Sequence, residues 1–77
     1  MPDIVERVSS VLATRLHVPP DRLTEAATFG DLAATSLDMV ETVMSIEDEF
    51  KIEISDREAE TLHTVGDVME LVRRKLH

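Results

Sequence analysis

The chain has no cysteine, so neither disulfides nor thiolate-bound metal can hold it together. Phe29 and Phe50 are its only aromatic residues, which leaves aliphatic side chains to build any core. Glycine occurs only at positions 30 and 66, which excludes a dinucleotide-binding fingerprint and a phosphate-cradling P-loop. No apolar run approaches the roughly 18 residues of a membrane span, and the N-terminus lacks a basic-then-apolar leader pattern. A soluble, cytoplasmic chain with no membrane insertion is expected. Basic residues are also scarce: 8 Lys and Arg stand against 16 Asp and Glu, a net charge of −8. That balance argues against nucleic acid as a partner and favours proteins with basic surfaces.

What remains is enough for one small helical domain. At 77 residues with 43% hydrophobic side chains, the chain has length for a single core over residues 1–77. Its acidity is unevenly placed. Residues 38–60 hold nine acids against Lys51 and Arg57, so this central segment carries nearly all of the excess negative charge. Taken alone, such a run is more often a solvated face than a site.

Helical spacing dominates the apolar pattern. Ile4, Val5, Val8, Val11, Leu12 and Leu16 mark a first helix from about residue 3 to 16, with Asp3 and Glu6 suited to its start. Pro19 and Pro20 stop it near His17. Residues 17–35 lack sustained periodicity, but Leu23, Phe29 and Leu32 are spaced as anchors for a long ordered connection. A second, acidic helix spans 36–50, with Thr35 as N-cap and Asp38 three residues on. Ile52 and Ile54 bracket Glu53 in a strand-like way, yet no second strand exists to pair with them. Ser55 with Glu58 opens a short third helix over roughly 56–62 that buries Ala59 and Leu62. Thr64 with Asp67 opens a fourth, whose last turn gathers Arg73, Arg74 and Lys75 where cations suit the helix dipole. The expected fold is all-α: a small four-helix bundle, three longer helices and one short, with a long loop between helices one and two.

Few residues offer independent chemistry. His17, His63 and His77 stand far apart in no metal-ligand spacing. A calcium loop beginning at Asp31 fails at Ala33, Ser36, Leu37 and Thr42, where ligands, a glycine and a glutamate are required. An enzyme acting alone is not expected. Ser36 is the more interesting position. A serine at a helix start usually just satisfies backbone amides, but Thr35 already supplies an oxygen for that task. Ser36 is then free at the first helical position, where the helix terminus favours an anion such as a phosphodiester.

The stretch from Phe29 to Phe50, FGDLAATSLDMVETVMSIEDEF, resembles the segment around the modified serine of acyl carrier proteins. EISDREAETLHTVGDV, from Glu53 to Val68, and the amphipathic first helix agree with the same family. The resemblance implies a free-standing carrier to which a phosphopantetheinyl transferase, using coenzyme A and magnesium, joins 4′-phosphopantetheine at Ser36. Acyl groups held as thioesters on the arm would then pass between enzymes of fatty-acid or related acyl-chain biosynthesis, the carrier itself being no catalyst. The resemblance also implies docking through Leu37, Val40 and Met44, with Asp38, Glu41, Glu47 and Asp48 facing basic patches on acyl-transferring and chain-elongating or chain-modifying enzymes. A monomer is expected, with no catalytic and no metal-binding residue. Short acyl chains would retreat between helices two, three and four, where Val40, Val43, Ile46, Ile54, Ala59, Leu62, Val68 and Met69 are the candidate lining.

Three positions depart from the family pattern. Thr35 replaces the usual aspartate before the serine, Ala33 stands where glycine is common, and Thr42 stands where a large aliphatic residue is usual. Together they point to a specialised carrier dedicated to one pathway. A peptidyl or aminoacyl carrier, or an acidic helical scaffold that is never modified, are the alternative readings.

Overall fold

The computed structural model describes residues 3–76. Its helices are α1 (Ile4–Leu16), α2 (Ser36–Phe50), α3 (Asp56–Glu60) and α4 (Val65–Lys75), and no strand forms among the described residues. The expected three longer helices, one short helix and long first connection are all present. A 3-10 turn at Pro20–Arg22 adds to that expectation. The prolines that end α1 also start this turn, because a fixed φ suits the first helical position.

Side-chain oxygens set where the helices begin. The Asp3 carboxylate accepts the Glu6 N–H at 2.9 Å, and Ser55–Glu58 and Thr64–Asp67 each form reciprocal capping boxes. Each box satisfies amides that the first turn would otherwise leave without partners. α1 and α2 end on His17 and Lys51, both left-handed at φ 56° and 57°, a conformation glycine more often supplies. α3 closes at Glu60, two residues short of the expected end. The Thr61 hydroxyl donates to the Glu58 carbonyl at 2.7 Å, and the buried Leu62 anchors the following connection instead of the helix.

The core lies where α1 meets α2 and α4. Val8, Leu12, Val65 and Val72 are fully enclosed there, as period-3.6 stripes facing one another require. Arg7 fastens the end of α2 to α1. Its guanidinium sits 4.4 Å from the centre of the Phe50 ring, pairs with the Glu49 carboxylate at 3.2 Å, and donates to the Glu49 carbonyl at 3.0 Å. A cation in that place also complements the negative end of the helix. α3, by contrast, contributes no fully buried side chain.

The long connection is pinned at both levels. Leu23, Phe29 and Leu32 are buried, as their spacing suggests. Its backbone also pairs with the α3–α4 junction: Phe29 N–H donates to the His63 carbonyl and Val65 N–H to the Ala27 carbonyl, each at 3.0 Å. Gly66 N–H reaches the Glu25 carbonyl at 2.9 Å. A Cβ at Gly66 would lie 3.0 Å from that same oxygen, so only glycine permits the approach without displacement. The Asp67 carboxylate ties the junction further by accepting the His63 and Thr64 N–H groups at 2.9 and 3.0 Å. Those backbone donors hold its pKa below the usual aspartate value. A loop clamped in this way delivers residues 33–36 to the start of α2 in a fixed orientation.

Candidate functional site

At the mouth of α2 the capping work is done by Thr35 and Asp38. Thr35 Oγ1 accepts the Asp38 N–H at 3.1 Å, and Asp38 Oδ2 accepts the Thr35 N–H at 2.9 Å. Ser36, the first residue of the helix, is exposed and stands outside this box. Just before it, Ala33 adopts φ 58°, which accounts for glycine being common there. A non-glycine residue in that region costs about 1–2 kcal/mol, here held in place by the Ala33 N–H to Gly30 carbonyl and Ala34 N–H to Phe29 carbonyl bonds at 3.1 and 3.0 Å.

Below Ser36, α2 turns one flank to solvent. Leu37, Val40 and Met44 are 65%, 56% and 58% exposed, and their i, i+3, i+7 spacing stacks them in one stripe. Glu41 and Asp48 are exposed beside it. The other two acids of the expected docking set are differently employed. Asp38 is half-buried in the cap. Glu47 accepts the Ile54 N–H at 2.9 Å and so ties the α2–α3 connection to α2.

Between α2 and α3 lies a half-open cavity of about 300 Å³, walled by Met39, Val40, Val43, Met44, Ile54 and Ala59. Glu47, Asp56 and Glu60 complete its lining, and no basic residue contributes. Of the eight lining candidates read from the sequence, Val40, Val43, Ile54 and Ala59 are there. Ile46, Leu62, Val68 and Met69 are instead buried in the core and are not among the residues that line the cavity. Glu58 points the other way along α3. Lys75 holds its carboxylate at 2.9 Å, and together with the Ser55 N–H lowers its pKa from an ordinary 4.5 to about 2.

The sequence model of the phosphopantetheine attachment site matches residues 6–72. The chain belongs to that family. Its helical bundle agrees with the resemblance to acyl carrier proteins, and the cofactor that goes with this domain is covalent 4′-phosphopantetheine. Carrier domains of this family work with transferases and biosynthetic enzymes in general, and they carry cargo without catalysing its chemistry. No helix among the described residues is long and apolar enough to cross a membrane.

Within this phosphopantetheine attachment domain, then, the expected residues divide by place. Ser36 stands at the tip of α2, Leu37, Val40, Glu41, Met44 and Asp48 on its open flank, Asp38 inside the cap, and Glu47 at the cavity edge. Sequence reasoning missed Asp56 and Glu60 as part of the cavity. Their i, i+4 spacing puts them on one side of α3, but nothing in the sequence says which way that side faces.

Proposed function

We propose that this chain carries acyl intermediates on 4′-phosphopantetheine joined to the Ser36 hydroxyl and shuttles them between enzymes of fatty-acid or related acyl-chain biosynthesis, catalysing nothing itself. The observation that carries this reading is the exposed Ser36 side chain at the first position of α2, left out of a cap that Thr35 and Asp38 close on their own. The residues present suit the group. The start of a 15-residue helix favours a phosphodiester electrostatically, and the carboxylate in its first turn, Asp38, is already engaged by the Thr35 N–H. When attached, the arm supplies a terminal thiol that holds acyl groups as thioesters.

The chain's own residues do the rest. Leu37, Val40 and Met44 offer an apolar docking stripe next to the arm, and Glu41 and Asp48 meet arginines and lysines on the transferase and on the acyl-transferring enzymes. Exposed pairs of this type contribute only about 0.2–1 kcal/mol each and are screened by salt. Contacts that weak speed encounter and let each enzyme go. The apolar cavity beside α2 gives a short acyl chain somewhere to leave water, which favours acyl over larger peptidyl cargo.

Intact-mass measurement tests the reading. After coexpression with several phosphopantetheinyl transferases, the protein should gain the mass of one phosphopantetheine, and Ser36→Ala should not. A chain that stays unmodified with every transferase, including that of its host, is a scaffold. Peptidyl groups on protein isolated from its native cell would reassign the cargo.

A further inference from the structure

The lining of the α2–α3 cavity is chemically lopsided. Its walls are aliphatic and thioether groups, while every charged residue that lines it is an acid: Glu47, Asp56 and Glu60. Glu47 is held by the Ile54 N–H, but Asp56 and Glu60 are in no ion pair among the described residues. They are exposed on α3, and no cation stands among the residues that line the cavity. A neutral alkyl group entering this space exchanges water for apolar walls. An acyl group ending in a carboxylate must both lose water and approach fixed negative charge with no cation to offset it.

Resting on the carrier reading above, we propose that Asp56 and Glu60 make the cavity a charge filter on the cargo: neutral aliphatic acyl groups seat between α2 and α3, whereas acyl groups with a terminal carboxylate are kept out in solvent. Cargo of the two classes would thus be presented differently by one carrier. Neutral chains travel shielded, and carboxylated ones travel exposed to any enzyme that recognises the free acid. Two carboxylates in the lining of a half-open cavity disfavour a third by roughly tenfold, enough to decide whether a short chain is mostly seated or mostly free.

The test uses the whole protein loaded at Ser36 with hydrolysis-resistant arms carrying hexanoyl, adipoyl or no acyl group, and reads the chemical shifts of Val43, Ile54 and Ala59. Hexanoyl should displace these wall signals, and adipoyl, of equal carbon length but with a terminal carboxylate, should leave them close to those of the bare arm. In Asp56→Asn/Glu60→Gln, adipoyl should regain at least about half of the hexanoyl displacement. Glu60→Gln alone, which leaves the first turn of α3 intact, serves if the double change loosens that helix. The inference is overturned if adipoyl seats as well as hexanoyl in the unaltered protein, if the neutralised rim still excludes adipoyl, or if hexanoyl moves none of the three signals. A Ser36 that accepts no arm, seen by mass before any shift is read, overturns the carrier reading and this inference with it.

Discussion

The two sides of α2 have opposite characters. One side sends Thr42, Ile46 and Phe50 into the interior, on the helix that packs against α1. The other leaves Leu37, Val40 and Met44 in solvent, with only the short α3 and a half-open cavity nearby. With the docking role proposed above, a helix arranged this way keeps folding energy and recognition on separate surfaces, so side chains on the open flank are free to change without unfolding the bundle. The largest expected effect tests that separation. Leu12→Ala, at a fully enclosed position, should lower stability by about 2–5 kcal/mol in urea unfolding, a large share of the roughly 5–15 kcal/mol typical of a domain. Met44→Ala should stay within about 0.5 kcal/mol of the parent while weakening capture by partner enzymes. Comparable losses from the two substitutions would end the distinction.

The packed side has one flaw, and removing it sharpens the comparison. Thr42 is 1% exposed, and its hydroxyl has no hydrogen-bond partner. A buried hydroxyl without a partner costs about 1–3 kcal/mol. Valine has nearly the same shape without the polar atom, so Thr42→Val should raise the urea midpoint by the equivalent of about 1 kcal/mol, with the slope unchanged. An unaltered midpoint would mean that the hydroxyl is already satisfied, by a trapped water for example.

Features set by neighbours in sequence were legible before any fold was known. The capping boxes at Ser55 and Thr64, the cap at Thr35, the stop at Pro19 and Pro20 and the anchors Leu23, Phe29 and Leu32 all rest on local hydrogen bonding or periodicity, and each is found in place. Ser36 stood out for the same reason, since its freedom depends on the adjacent Thr35. What the sequence concealed depends on how elements meet. α3 has five residues and no buried stripe, so its rotation cannot be read from a pattern, and Asp56 and Glu60 could not be placed. Leu62 and Ile46 look like cavity lining until the depth of the packing is known. Ala33 illustrates a middle case: the absence of the usual glycine was visible, but the positive φ that explains it was not.

The smallest expected effect concerns what keeps the loosely packed α3 in position. Glu58 bonds Lys75 on α4 at 2.9 Å and closes its own cap by accepting the Ser55 N–H at 3.0 Å, which lowers its pKa from 4.5 to about 2. A carboxylate whose pKa is depressed on folding contributes stability that is fully present above its unfolded value and is lost as pH falls through its folded value. Glu58 therefore favours the fold above about pH 4.5 and progressively less down to about pH 2. Because the chain holds 16 Asp and Glu in all, the useful quantity is a difference. The melting temperature of the parent minus that of Glu58→Gln should be positive at neutral pH, shrink as pH is lowered from 4.5 toward 2, and approach zero below. Salt screens the exposed Lys75 pair but not the hydrogen bond to Ser55, so raising ionic strength should reduce this difference without abolishing its pH dependence. A difference that stays constant across the acid range would show that Glu58 does not act as a charge, and that α3 is held by Ala59 and Leu62 alone.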